Sequence, residues 1–144
     1  MSWNYSFVDH AADIAVDIKA DSLNELFIAS ALAWRKSISD YENIKSNSEK
    51  KFSIKEDSLE ILLVSFLSEL NFIFQSEIWM MNSIHSLQIV KQNNNDWNLS
   101  AELLGQNFNR EKMNLKAEIK AVTYHQMEIK EQKGKFSTRI VFDI

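Results

Sequence analysis

The spacing of apolar residues changes from a helical to a strand period partway along the chain, and this change restricts the fold more than any other feature. In the first half, two segments repeat apolar residues every three or four positions, which is typical of amphipathic helices. From Ile84 onward apolar and polar residues alternate, which is the pattern of half-buried strands. Strands in succession, with the helices grouped before them, favour an antiparallel α+β architecture over the alternating order of a nucleotide-binding fold.

Both helices are predicted from a start signal followed by an apolar stripe. Ser22 and Glu25 form a capping box, so the first helix is predicted over residues 23–37. The second helix is predicted to begin after Asp57, with Glu60 in its first turn. Its stripe is broad enough for a core helix. The stripe consists of Leu59, Leu62, Leu63, Phe66, Leu67, Leu70, Ile73 and Phe74.

About six to seven antiparallel strands are predicted, with the two amphipathic helices packed on the sheet or sheets. The candidates are residues 3–7, 14–18, 52–55, 84–89, 97–103, 115–129 and 136–142. Residues 93–96 and 132–134 are rich in Asn, Lys and Gly and predict hairpin turns. The whole chain, 1–144, is expected to form a single domain.

Composition excludes several classes of function. The chain has no cysteine, which rules out disulfides, thiolate metal sites and cysteine nucleophiles, so a metal would be held by oxygen or imidazole. The net charge of -4 argues against RNA binding by this chain alone, because neutralising phosphates needs a basic face. The two glycines, Gly105 and Gly134, lie too far apart for a phosphate-binding loop. Neither a leader peptide nor an apolar run of about 20 residues is evident, so a cytoplasmic protein without a membrane association is expected.

Four side chains that can bind or react, those of Lys, Thr, Tyr and His, lie in the run from Lys120 to His125, within the predicted strand 115–129. A regular strand places Lys120 and Tyr124 on one side and Thr123 and His125 on the other. On the buried side, Thr123 and His125 would then need hydrogen-bond partners, or a β-bulge would have to turn them elsewhere. A satisfied core histidine and an ordinary surface lysine are the structural alternatives.

Two acidic groups lie near opposite ends of the chain. His10 and Asp13 occupy a predicted strand-to-strand turn, where Asp commonly accepts hydrogen bonds from backbone amides. Asp143 precedes Ile144, whose α-carboxylate is expected beside the Asp143 side chain. Neighbouring anions repel one another unless a cation or a basic side chain lies between them. The structural alternative for Asp143 is a solvated strand residue.

These motifs resemble the archease family nearly from end to end. Residues 10–15 are similar to the family's His-Thr-Ala-Asp-Ile-Gly motif, and residues 118–125 match its Glu-Ile-Lys-Ala-Val-Thr-Tyr-His motif at every position. The chain also ends, like the family, on Asp followed by a hydrophobic residue. Departures from the family pattern are Ala11, Ala15, Gln106, Asn109 and Met113.

The resemblance implies an archease-like fold and an accessory role without catalysis of its own. Archeases activate an RtcB-type GTP-dependent RNA ligase, promoting its guanylylation and multiple turnover in tRNA splicing or RNA repair. RNA would then be contacted only through the ligase. The resemblance further implies a divalent metal site formed by Asp13, Asp143 and Ile144, with Ca²⁺ as the first choice and Mn²⁺ or Mg²⁺ as alternatives. The implied supporting or partner-contacting residues are His10, Lys120, Thr123, Tyr124 and His125.

Two other classes of function remain open from the sequence. A metal-dependent hydrolase acting on a phosphoester would use His10, Asp13, His125 and Asp143 around one ion, although a spacing signature such as His-Glu-x-x-His is missing. A non-catalytic, chaperone-like adaptor would use the carboxylates only structurally. Phosphoester cleavage without a ligase would favour the hydrolase, whereas activity that requires ligase, GTP and a divalent ion would favour the activator.

Overall fold

A computed structural model describes residues 2–8, 13–124 and 127–144 of the chain. Ten elements follow one another in that part. They are β1 (Trp3–Val8), β2 (Asp13–Ala20), α1 (Leu23–Ile38), β3 (Ser48–Glu56), α2 (Leu59–Glu77), β4 (Trp79–Lys91), β5 (Trp97–Asn107), β6 (Ala121–Thr123), β7 (Lys130–Gln132) and β8 (Lys135–Asp143). The predicted α+β class with two helices is confirmed, and the described strands number eight instead of six or seven.

The strands form two antiparallel sheets. The first has the order β1-β2-β8-β6, and β7 pairs with β8 beside β6, while the second has the order β3-β5-β4. β8, the last strand, therefore lies beside β2, so strands from the two ends of the sequence are hydrogen-bonded neighbours. Both predicted hairpin turns are present: one joins β4 to β5, and the other, at Lys133 and Gly134, joins β7 to β8. Positive φ values of 54° and 78° at this second pair match a tight two-residue hairpin turn.

Local capping fixes where the helices begin. The Ser22 hydroxyl accepts a hydrogen bond from the Glu25 amide at 3.1 Å, as predicted for α1. In α2 the cap is Ser58, whose hydroxyl accepts from the Ile61 amide at 3.1 Å. The prediction of Asp57 as the cap of α2 is therefore wrong by one residue, because Ser58 provides an equally good acceptor one position closer to the helix.

The core lies where the helices meet the two sheets. α1 packs on β1, β2, β4 and β8, whereas α2 packs on β3, β4, β5 and β6. By length and composition α2 could cross a membrane, which corrects the expectation that no segment comes near that length. Half of this helix is buried inside the protein and it contacts both sheets, which is how a core helix behaves.

The predicted long strand over residues 115–129 is wrong. Within the described residues of this stretch only β6 is a strand, and the chain before it is irregular. Val122 is 7% exposed and Ala121 is exposed, so the predicted alternation of sides is inverted within β6. The physical cause lies on α2. The Asn71 and Gln75 side chains both donate hydrogen bonds to the Ile119 carbonyl, at 2.8 and 2.7 Å, and satisfy it without a neighbouring strand.

We expect Gly105→Ala to destabilise the protein by about 3 kcal/mol, because its Cβ would lie 2.1 Å from the Met80 carbonyl oxygen in the neighbouring strand. Urea unfolding followed by circular dichroism measures this change. The control is Gly134→Asn. Nothing lies within 4 Å of a Cβ there, and Asn tolerates the φ of 78°. Equal stabilities for the two variants would contradict the close approach at Gly105.

Candidate functional site

The strand register places Asp13 directly opposite Asp143. They are Cα partners at the end of the β2–β8 ladder, so both side chains project from the same face of the sheet. Directly opposed residues on antiparallel strands have Cβ atoms about 4.5–5.5 Å apart. Asp13 is half-buried and Asp143 is exposed. The two acidic groups that the sequence places 130 positions apart therefore form one carboxylate pair at the surface.

Alternation along β2 and β8 decides which way these carboxylates point. Ile14 pairs with Phe142, and Phe142 is fully buried in the core. Because neighbouring residues in a strand point to opposite faces, burying Phe142 turns the next residue, Asp143, away from the core. The carboxylate pair thus depends on an apolar contact one residue away.

A second charged pair on the same face is already neutralised. Arg139 donates to both Asp17 carboxylate oxygens, at 2.7 and 3.0 Å. The hydrogen bonds and the positive charge of this guanidinium hold the pKa of Asp17 below its ordinary value. Asp17 is therefore committed to Arg139.

The other flank of Asp143 is formed by the segment that contains Lys120. The Lys120 amide donates to the Asp143 carbonyl at 2.7 Å, and Ala121 is the Cα partner of Asp143. Thr123 pairs with Val141 and so shares the face that carries the carboxylate pair. Asp143 consequently lies between two strands, with β2 on one side and β6 on the other.

Side chains of α2 hold this segment against the helix. Asn71 is 5% exposed, donates to the Ile119 carbonyl, and accepts a hydrogen bond from the Trp34 indole at 3.0 Å. Gln75 donates to the same carbonyl from the helix surface. One backbone carbonyl beside Lys120 is thus held by two amides one helical turn apart, and the buried amide also links α2 to α1.

The structure brings together most of the predicted site residues that it describes. Asp13, Asp143 and Thr123 lie on three adjacent strands, and Lys120 immediately precedes the third of them. Ile144 follows Asp143 and is 41% exposed. Tyr124 follows β6 and is 67% exposed. The remaining two predicted residues, His10 and His125, lie outside the described residues.

The fit of a divalent ion depends on the donors at this position. Over residues 2–8, 13–124 and 127–144, no three His, Asp or Glu side chains come together as a metal-binding group. The side chains described therefore supply two carboxylates, Asp13 and Asp143. Sites with one or two protein carboxylates are common for Mg²⁺, which keeps waters and substrate phosphates as its other ligands. The donor set fits a hard cation that is shared with another molecule.

Three departures from the family pattern, one near the end of β5 and two in the β5–β6 connection, have structural contacts. The Gln106 side chain accepts from the Lys45 amide at 2.6 Å, and Asn109 accepts from the Glu111 and Lys112 amides. Met113 is 6% exposed and packs in the core. The side chains of Gln106 and Asn109 thus accept hydrogen bonds from backbone amides, and the Met113 side chain fills apolar space in the core.

Sequence reasoning missed Asn71, Gln75 and Phe72. A signal was available for two of them, because Asn71 is a polar residue beside the apolar stripe of α2, whereas Phe72 is a large aromatic residue outside that stripe. Asn71 is buried and Phe72 is 62% exposed, the reverse of their ordinary tendencies. Asn71 marks the position where the helix holds the Ile119 carbonyl, and Phe72 marks an apolar side chain that the core does not cover.

We expect Asn71→Leu to destabilise the protein by about 2 kcal/mol, because the buried Trp34 indole N–H loses its acceptor. Gln75→Leu is the matched control, since Asn71 still donates to the Ile119 carbonyl; its cost should stay below about 1 kcal/mol. Urea unfolding monitored by tryptophan fluorescence compares the two variants. A larger loss at Gln75 would show that the surface amide, not the buried one, holds the segment.

Comparison with known proteins agrees with these features. The sequence model of the Archease protein family (MTH1598/TM1083) matches residues 5–144 of this chain. An archease of Methanosarcina barkeri is 30% identical over 97% of this chain and 95% of its own, and one of Pyrococcus furiosus is 32% identical over 94% and 95%. The solution structure of a Methanobacterium thermoautotrophicum protein superposes with a TM-score of 0.82 at 26% identity, covering 97% of this chain and 98% of that one.

A second structural relative extends the likeness in fold. The crystal structure of a Thermotoga maritima protein, described as an archease and possible chaperone, has a TM-score of 0.62 at 22% identity, covering 95% of this chain and 94% of its own. Two helices and antiparallel sheets are thus common to this chain and its solved relatives. On the family match across residues 5–144, together with the 30% identity to a curated relative, this chain belongs to the archease family.

Proposed function

We propose that this protein activates an RtcB-type, GTP-dependent RNA ligase in tRNA splicing or RNA repair, and that it does no catalysis itself. In this proposal it promotes guanylylation of the ligase and repeated turnover. Membership of the archease family supports the accessory role. The observation that carries the proposal is the register of β2 and β8, which pairs Asp13 with Asp143 on the open sheet face, with the Lys120 backbone hydrogen-bonded to Asp143 beside them.

Asp13 and Asp143 would hold a divalent cation on this face. Such an ion would offset the negative charge of GTP phosphates and allow them to approach the pair. The two carboxylates keep their mutual orientation through the strand ladder, so they need little rearrangement when the ligase docks. In a protein whose last residue is Ile144, the α-carboxylate of that residue would add a third oxygen ligand. Ca²⁺, Mn²⁺ and Mg²⁺ all take such oxygen ligands.

Lys120 would contact a phosphate or a carboxylate of the ligase complex. Its backbone is fixed by the hydrogen bond to the Asp143 carbonyl, while its side chain is exposed. Thr123 would contribute a hydroxyl on the sheet face that carries the carboxylate pair. Tyr124, the next residue, would contribute an exposed phenol. A rigid backbone with an exposed ammonium suits a residue that acts on a partner and not on its own fold.

A guanylylation assay tests the activator role directly. Purified RtcB-type ligase, GTP and a divalent ion are combined with and without this protein, and the rate of GMP transfer to the ligase is measured. We expect faster transfer with the protein present. An unchanged rate contradicts the proposal, and phosphoester cleavage by this protein without ligase would favour the hydrolase.

We expect Asp143→Asn to weaken divalent-ion binding by about tenfold or more, since losing even an outer-shell partner costs a metal site about 10–100-fold. Isothermal titration with Ca²⁺, Mn²⁺ and Mg²⁺ measures the affinity. The matched control is Asp17→Asn on the same face, where the carboxylate is already bound to Arg139. Similar losses in both variants would indicate a general effect of charge on this face and would remove Asp143 from the site.

Residues added after Ile144 test the third donor separately. Extension converts the α-carboxylate into a neutral amide while leaving both aspartates in place. We expect lower ion affinity and lower ligase stimulation in the extended protein than in one tagged at the N-terminus. Equal values in the two tagged proteins would show that the terminal carboxylate has no role.

We expect Lys120→Ala to lower ligase stimulation while changing the free energy of unfolding by less than about 0.5 kcal/mol, because an exposed side chain contributes little to folding. Lys120→Arg should restore stimulation only in part, since a planar guanidinium does not reproduce the geometry of an ammonium. Stimulation assays and thermal unfolding together separate the two effects. A variant that unfolds early yet stimulates normally per folded molecule would make Lys120 a structural residue.

A further inference from the structure

Two exposed aromatic side chains lie close to the segment that contains Lys120. Phe72 on α2 is 62% exposed and Tyr124 after β6 is 67% exposed. They are the two most exposed large apolar side chains in the described part of the chain. Both lie by the Lys120 segment, because Phe72 shares a groove with Lys120 and Tyr124 follows β6. Exposed aromatic residues grouped beside a functional site commonly mark a binding surface.

The groove between α2 and β6 has a volume of about 270 Å³. Phe72, Ser68 and Gln75 form its helix side, and Lys120, Ala121 and Val122 form its strand side. Its floor is held rigid by the Asn71 and Gln75 hydrogen bonds to the Ile119 carbonyl. The groove is therefore preformed, which lowers the entropic cost of binding a partner.

Charges around the groove indicate what kind of partner fits it. Within the described residues the Lys120 ammonium makes no ion pair, so a partner carboxylate could neutralise it. Asp143 lies opposite Ala121, on the strand next to the groove, with Asp13 beyond it. Aromatic residues and a lysine could also bind single-stranded RNA, but these carboxylates and a net charge of -4 would repel its phosphates. The surroundings favour a protein.

We propose that this groove docks a segment of the RNA ligase that carries an apolar side chain and a neighbouring carboxylate. The apolar side chain packs against Phe72, and the carboxylate pairs with Lys120. Tyr124 contributes to the edge of the same interface. Because the groove adjoins Asp143, docking here delivers the carboxylate pair to the ligase in one orientation. This inference rests on the proposed function and names the contact surface that the activator would use.

Titrating the protein into the guanylylation assay separates docking from the action of the site. We expect Phe72→Gln, which keeps a good helix former, to raise the half-maximal concentration by about tenfold or more while the maximal rate stays unchanged. Tyr124→Ser, outside any helix, should shift it in the same direction. The control is Val90→Gln on β4, which is 49% exposed and lies in the other sheet. Circular dichroism and thermal unfolding confirm that each variant is folded.

Three results would overturn the docking surface. An unchanged half-maximal concentration for both Phe72→Gln and Tyr124→Ser removes it while leaving the activator role intact. A lower maximal rate without a change in half-maximal concentration assigns Phe72 to the action of the site instead. Binding of fluorescent tRNA without ligase, lost in Phe72→Gln, makes the groove an RNA surface. If the wild-type protein itself gives no stimulation, the proposed function fails and this inference fails with it.

Discussion

The antiparallel pairing of β2 with β8 is the interaction on which the rest of the structure depends. It joins a strand near the start of the chain to the last strand, over eight register pairs from Asp13–Asp143 to Ala20–Phe136. Its core face supplies Val16, Ile18 and Ile140, which are fully buried. Its other face carries the carboxylate pair. A single ladder therefore stabilises the fold and assembles the candidate site.

This dual use follows from the two-residue period of a strand. Each buried residue that stabilises the ladder turns its neighbours to the open face, so Phe142 in the core and Asp143 at the surface are set by the same backbone. A slip of one residue would bury the carboxylates and expose the apolar row. The cost of that slip protects the geometry of the site.

A second constraint comes from α2, which replaces a strand as the partner of the Ile119 carbonyl. A buried amide, Asn71, and a surface amide, Gln75, bind that oxygen from one helix. The chain is irregular there and returns to sheet geometry at β6, which is only three residues long. Lys120 and Val122 both line the groove against α2, where Lys120 is exposed and Val122 is buried. The irregular segment opens this groove, in which Phe72 and Lys120 meet.

Apolar periodicity alone determined the α+β class, both helices and most strands, because burial of a regular element leaves a repeat that can be read locally. Motif resemblance further selected Asp13, Asp143 and Lys120. The sequence could not show that residues 116–120 would be irregular, since an apolar alternation there is equally consistent with a strand. That outcome was decided by hydrogen bonds from Asn71 and Gln75, more than 40 positions away. Only the tertiary structure, through the register of β2 against β8, decided that the two aspartates face each other, because strand pairing between distant segments is a property of the assembled core.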